Sequence, residues 1–387
     1  MSASASARLG DFVEILSGFA FDAANFSDEG DIALIRIRDV LRGRSNTFYR
    51  GAYDEKYLIN EGEILIGMDG EFNRARWQSA PALLNQRVCK ISSNSPRLAD
   101  EYLFHFLPAA LKSIEDATSF VTVKHLSAKQ IRDIEIPLPP VEEQRRIAAI
   151  LDQAETLRTQ RRRALAHLDT LTQSLFLDMF GDPVANDRGW PDSLTLGEVA
   201  DIASGVTKGR NLEGKITREL PYLAVANVQD KSLRLEGIKS IDATEDEIQR
   251  YLLRKNDLLL TEGGDPDKLG RGTLWNDELP ECIHQNHIFR VRLTSELLTP
   301  LFLNWLVGSP RGKKYFLRSA KQTTGIASIN MTQLKGFPLL VPPLPLQQTF
   351  ATRIQAIEAL KATHRTALAQ LDALFASLQQ RAFAGEL

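Results

Sequence analysis

The sequence predicts an α+β protein: two α/β globular domains and two long helices that pair as a coiled coil, produced by internal duplication. Three observations carry this reading. Five short motifs recur in the same order in both halves of the 387-residue chain, and self-similarity at long period signals a repeated unit. Two segments, 141–180 and 346–384, contain neither Gly nor Pro. Apolar residues within those segments recur in steps of three and four, the signature of a coiled-coil seam.

The motifs come first. Leu9-Gly10-Asp11, followed by Ile15-Leu16-Ser17-Gly18, resembles Leu196-Gly197-Glu198, followed by Ile202-Ala203-Ser204-Gly205, 187 residues later. Gly62–Gly67 echoes Asn256–Thr261, and Asn85-Gln86-Arg87-Val88 echoes Gln285-Asn286-His287-Ile288. Pro139-Pro140-Val141-Glu142-Glu143 aligns with Leu344-Pro345-Leu346-Gln347-Gln348, so the spacing drifts from 187 to 205. In that alignment the second copy carries Gln347-Gln348-Thr349 in place of Glu-Glu-Gln.

Each long segment is ~39 residues, a helix of ~58 Å at 1.5 Å per residue. Proline just before each suits a helix start, Glu142 and Glu143 suit the positive end of the helix dipole, and Gly181 and Gly385 are suitable stops. The expected seam residues are Ile147, Leu151, Leu157, Leu165, Leu168 and Leu175 in the first helix. In the second they are Ile354, Leu360, Leu368, Leu371 and Leu378. Arg161 and His364 fall at equivalent seam positions. Helices this long outgrow a domain of ~100–150 residues, so they are expected to pack on each other.

The segments between them read differently. Residues 1–140 and 190–343 form the two globules, each with short β-rich runs punctuated by Gly and Asp and a later helical stretch, Glu101–Glu115 or Pro300–Ser319. Residues 141–180 and 344–387 are the helices, and 181–189 is a linker.

Composition narrows the function. With 43% hydrophobic and 25% charged residues the chain is an ordinary globular protein. No window of 18 uncharged apolar residues exists, and the first residues lack the apolar core of a secretory signal, so a cytoplasmic protein is expected. Cys89 and Cys282 are too few to make a disulfide framework or a four-ligand zinc site. The chain shows no Gly-Xaa-Gly-Xaa-Xaa-Gly fingerprint, no His-Glu-Xaa-Xaa-His pair and no Asn/Asp-Pro-Pro-Tyr/Phe methyltransferase loop. Gly308–Lys314 resembles a phosphate loop but is one residue short and lacks the magnesium-binding Ser/Thr. Asp192, Glu213 and Lys215 match a short metal-dependent nuclease pattern, which stands as an alternative. Otherwise no catalytic and no metal site is expected.

What remains is polar loops at comparable places in the two halves. Arg and Lys read guanine edges, Asn and Gln read adenine edges, and Gly lets backbone approach phosphate. The candidates in the first half are Arg36, Arg38, Arg42, Arg44, Asp69, Asn73, Arg74, Arg76, Asn85, Gln86 and Lys124. Those in the second are Thr207, Lys208, Arg210, Asn227, Glu262, Lys268, Arg271, Asn286, His287 and Thr324.

The run Ile134–Pro140 through Glu142-Glu143-Gln144-Arg145-Arg146-Ile147-Ala148 into the long helix resembles the central region of type I restriction-modification specificity subunits. The Leu-Gly-Asp/Glu and Ser-Gly motifs resemble the openings of their target recognition domains. Gly67–Asn73 with Leu84–Val88, and the helix exit Met179–Pro183, are also similar to that family. The resemblance implies a non-catalytic subunit whose two recognition domains each read one half of a split, asymmetric double-stranded DNA site. It implies antiparallel helices that relate the domains by a pseudo-twofold axis, space them, and dock two methyltransferase (M) subunits for adenine-N6 methylation. S-adenosylmethionine, ATP and magnesium then belong to partner subunits, and restriction (R) subunits join in systems that cut. An adaptor of a methylation-only system, and a coiled-coil protein that never touches DNA, stand as further readings. Net charge is −2 overall, split as −3 for 1–140, 0 for 141–180, −1 for 181–189, +1 for 190–343 and +1 for 344–387. Neither globule is a basic patch, so phosphate affinity is expected to come partly from the partners.

Overall fold

The Ser-Gly motif shows how each globule is built. In the computed structural model, which describes residues 6–118, 124–265, 268–323 and 326–387, Ser17 ends the strand Val13–Ser17 and Ser204 ends Ala200–Ser204. The chain then crosses to a second layer through parallel bridges from Phe19 to Asn85 and from Val206 to Gln285. A Cβ on Gly18 would strike the Asn85 carbonyl, and one on Gly205 the His284 carbonyl. Glycine is required at both positions because two backbones touch there.

The two central sheets share one topology. In the first, Val13–Ser17, Val88–Ser93, Ile64–Gly67 and Arg74–Arg76 lie side by side, all antiparallel. In the second the order is Ala200–Ser204, Ile288–Leu293, Leu258–Thr261 and Gly272–Leu274. The registers match: Ser17 faces Cys89 and Ser204 faces Phe289. Each second layer is organised on a parallel pair, Ile32–Ile35 with Ala82–Leu84, or Arg218–Leu223 with Ile283–His284.

The Leu-Gly-Asp/Glu motif is a packing corner. Leu9 and Leu196 are fully buried. A Cβ on Gly10 would crowd Arg132, and one on Gly197 would crowd Lys335. Those two residues sit on the short helices Ala128–Arg132 and Met331–Lys335, each opened by a capping box, Ser127 with Gln130 and Asn330 with Gln333.

The chain forms two compact units, Met1–Arg163 with Arg365–Leu387, and Ala164–His364. Each unit therefore holds one globule and half of each long helix, Val141–Phe180 and Leu344–Ala384. Within each unit the helix halves run antiparallel. Arg158 meets Asp372 and Arg146 meets Leu387 in the first unit. In the second, Lys361 meets Asp169 and Phe180 meets Phe350.

The seam corrects the expected one at two places. Burial follows Gln144, Ile147, Leu151, Ala154, Arg158, Arg161, Leu165, Leu168, Thr172, Leu175 and Met179, a strict alternation of three and four. The second helix repeats it 203 residues later, from Gln347 and Phe350 through Lys361 and His364 to Leu378 and Ala382. Leu157 and Leu360, expected in the seam, are 42% and 46% exposed. A four-residue step from Ala154 or Ile357 lands on Arg158 or Lys361 instead. Arg158 is neutralised by Glu155 and by Asp372 at 2.6 Å, and Lys361 by Glu358 at 2.7 Å and Asp169 at 2.9 Å. All three members of each triad are 203 residues from their counterparts, so the ion-pair device is itself duplicated.

The same spacing corrects the motif alignment. Gln144 is equivalent to Gln347, and both are fully buried. The Gln144 amide accepts from Ala99 N at 2.9 Å and donates to the Arg97 and Pro139 carbonyls, both at 2.8 Å. Gln347 accepts from Thr299 N at 2.8 Å and donates to Leu297 O at 3.0 Å and Pro342 O at 2.8 Å. The second motif thus keeps the residue that matters.

An unmatched buried polar group costs ~1–3 kcal/mol. Gln144→Ala is therefore expected to destabilise the first unit by about 3 kcal/mol in urea titrations. Gln144→Glu should be no better, because a carboxylate cannot donate to two carbonyls. A Glu variant of parental stability would remove the amide from this role.

Candidate nucleic-acid interface

At one end of the two middle strands of each central sheet a carboxylate meets a basic side chain. In the first unit Gly67 faces Val88, and the turn before Val88 presents Arg87. Arg87 Nη1 donates to Asp69 Oδ2 at 2.6 Å, and His125 Nδ1 lies 2.6 Å from Asp69 Oδ1. A groove of about 470 Å³ opens there, lined by Ser17, Gly18, Met68 and Gln86 as well as these three. In the second unit Thr261 faces Ile288, and His287 Nδ1 lies 2.6 Å from Glu262 Oε2. Asn286 borders an adjoining cleft of about 730 Å³ with Ser204, Gly205 and Thr207.

The remaining candidates in the first unit separate into two groups. Arg38, Arg42 and Arg44 are exposed and line, with Asn46 and Gln78, a second cleft of about 610 Å³. The backbone N–H of Arg36, just before them, donates to Asp39 Oδ2, which caps the turn. The others are turned to structural work, correcting the expectation that they face nucleic acid. Arg74 lies over the Phe104 ring at 3.5 Å, and burial lowers its guanidinium to about 10. Arg76 stacks on the same ring and donates to Gly62 O at 2.9 Å. Both point to the helix Asp100–Ala117 because alternate residues of a strand share a face. Asn85 is buried and accepts from Gln86 N, the Asn73 Oδ1 atom is buried, and Lys124 donates to the Glu115 carbonyl.

The second unit divides similarly. Thr207 and Lys208 are exposed beside the Asn286 cleft, and Lys268 is exposed beside Asp265. Arg210 is instead a clamp: it donates to Glu247 Oε2 at 2.8 Å and Asp242 O at 2.7 Å, and it holds the Glu247 carboxyl down at about 2. Asn227 is a buried cap, accepting from Ala224 N and donating to Arg234 O. Arg271 donates to Gln229 while its Nε is buried. Thr324 lies outside the described residues.

Sequence reasoning missed Arg87 and His125. The internal repeat carried a signal for Arg87, since His287 was chosen at the equivalent place. His125 carried none, because 56 residues separate it from Asp69.

The nuclease pattern is not assembled. Asp192 lies 3.9 Å from Arg311, Glu213 N donates to Asn211, and no described contact joins Asp192, Glu213 and Lys215. Among the described residues no group of three or more His, Cys, Asp or Glu could hold a metal ion. Gly308–Lys314 is the corner between the helices Pro300–Gly308 and Pro310–Ser319. No helix among the described residues is long and apolar enough to cross a membrane.

A family model described as type I restriction modification DNA specificity domain matches residues 1–166 and 189–373. The type I restriction enzyme EcoBI specificity subunit of Escherichia coli is 29% identical over 96% of this chain and 84% of its own length. The fold resembles the crystal structure of the type I restriction-modification S subunit from M. genitalium, with a TM-score of 0.58 at 15% identity over 98% of this chain and 96% of that one. A chain from a structure of type I complex assembly and conformational transition gives 0.52 at 19% identity, over 100% and 99%.

One buried group beneath this surface titrates. His284 Nδ1 lies 2.9 Å from Ile288 O, and burial pulls the imidazole from 6.5 down to about 4. The unfolded chain takes up this proton near pH 6.5, whereas the folded chain refuses it until about pH 4. Stability should therefore be full above pH 6.5 and fall by about 3 kcal/mol as pH drops to 4. His284→Gln should flatten that part of the profile in pH-dependent urea melts. An unchanged slope would assign the acid sensitivity elsewhere.

Proposed function

The chain belongs to the type I restriction-modification DNA specificity family, and from that premise we propose how its parts divide the work. Each globule reads one half of a split, asymmetric DNA site, and the paired helices dock two methyltransferase subunits that methylate adenine N6. The chain itself performs no chemistry. S-adenosylmethionine, and the ATP and magnesium of any restriction subunits, are held by partners, and the complex acts in the cytoplasm. The duplicated scaffold with unlike side chains, Arg87 and His287, at equivalent carboxylate-held positions is the observation that carries the two-half-site reading.

Near-neutral net charge supports the partners' part. A binder that relied on this chain alone would need a basic face to release counterions, and charges of −3 and +1 on residues 1–140 and 190–343 do not supply one.

The helices offer matched apolar sites. Leu157 and Leu374 are 42% and 49% exposed in the first unit, Leu171 and Leu360 48% and 46% in the second. Each leucine immediately precedes a seam residue: Arg158, Phe375, Thr172 or Lys361. In an antiparallel pair those positions flank the same side of the seam. One leucine pair per unit fits one methyltransferase copy per unit.

Sequencing of methylated adenines in a host expressing the chain with its methyltransferase is expected to show a bipartite motif. Magnesium-dependent cleavage by the purified chain, abolished by Glu213→Ala, would instead support the nuclease reading. Leu157→Asp with Leu374→Asp should remove about 2 kcal/mol of apolar burial, weakening one methyltransferase site ~30-fold. Native mass spectrometry should then show one bound copy where the parent binds two. Two copies bound with parental affinity would place the dock elsewhere.

A further inference from the structure

Two half-site readers on one scaffold differ in sequence preference through the side chains that differ at equivalent exposed positions. Met68 N donates to Arg87 O at 2.8 Å, and Glu262 N donates to His287 O at 3.0 Å. Arg87 and His287 therefore occupy the same backbone position. Around them the chemistry is kept: Gly18 matches Gly205, and Gln86 matches Asn286. The side chain between them is what changes: a guanidinium in one unit, an imidazole in the other.

We propose that Arg87 and His287 are specificity-determining residues, each held by a carboxylate so that it contacts a base edge in its own half-site. The inference rests on the reading of each globule as a half-site reader. Both side chains are well exposed, at 63% and 56%, whereas the Asp69 carboxylate is only 11% exposed. Asp69 is fixed between Arg87 and His125. In the second unit the carboxylate comes from one position earlier, and the longer Glu262 side chain makes up the distance. The same pairing is thus delivered by two different residues. Arg87 also takes φ 71°, a left-handed backbone that costs a non-glycine residue about 1 kcal/mol or more and persists where the surroundings impose it.

The carboxylate decides between base and phosphate. In the first unit it neutralises the Arg87 guanidinium, and in both units it repels a phosphate oxygen but leaves a neutral base edge unopposed. Arg87 commits Nη1 to Asp69, so its Nε and Nη2 edge remains as a fork matching O6 and N7 of guanine. His287 commits Nδ1 to Glu262 and offers the single nitrogen Nε2. The first contact is bidentate and the second is not, so the two half-sites are read differently.

The test uses the complex of the full chain with its methyltransferase subunits. Arg87→Lys, Arg87→Ala and His287→Ala are compared by sequencing of methylated adenines and by competition with duplexes altered one base pair at a time. Both Arg87 variants should lose at least tenfold discrimination at a guanine in one half-site, with the other half-site intact. His287→Ala should do the converse. Arg87→Lys keeps the charge and the fold, so it reports even where the alanine variant fails to fold. A uniform loss on all sequences, with the salt slope reduced by about one, would make Arg87 a phosphate contact and overturn the proposal. An unchanged motif would overturn it too. A parent complex with no bipartite motif would instead sink the half-site reading on which it stands.

Discussion

A buried glutamine side chain at the start of each long helix fixes everything that follows. Gln144 and Gln347 each satisfy one backbone N–H and one carbonyl where the globule chain enters its helix, Asp100–Ala117 or Pro300–Gly308, and one carbonyl of the proline segment before the long helix. An amide is the one uncharged side-chain group that donates twice and accepts at once. Its burial is tolerated only because every bond is made, so it sets the rotation of the helix on its globule. The first seam position is thereby defined, and the alternation of three and four carries it to the far end.

The seam is not uniformly apolar. Near its middle stand Arg158 and Lys361, each met by two carboxylates, one from its own helix and one from the opposite helix. Only the cations are largely buried, their carboxylates staying partly exposed; charges placed in a seam give little net stability against hydrophobic isosteres, and their best-attested use is to fix register. Here the cations displace leucines by one position, and Leu157 and Leu360 move to the exposed flank. Specifying the pairing and exposing these leucines are consequences of the same step.

On the recognition side, several arginines that look like nucleic-acid ligands are consumed by the globule. Arg74, Arg76 and Arg210 pack on a ring, a carbonyl or a glutamate. The surface that remains includes Arg38, Arg42 and Arg44 on one cleft, exposed Thr207 and Lys208, and the carboxylate-held Arg87 or His287 at the ends of the middle strands. A reader built from few oriented groups rather than a charged face is consistent with a chain whose net charge is −2.

The amino-acid sequence by itself determined the duplication, the two helices and the glycine corners. These are local matters of Pro and Gly placement, periodicity and backbone contact. It did not determine the seam frame, because Leu157 and Arg158 both satisfy a spacing of three or four. The choice depends on Asp372, 214 residues away. Nor could it separate Arg74, in the Gly-containing run 68–77, from Arg87, in the Asn85–Val88 motif, since both are arginines among polar residues. Only the tertiary structure put Phe104 beneath one and left solvent above the other. Helix and strand form follow from neighbours in the chain, whereas the fate of a charge follows from neighbours in space.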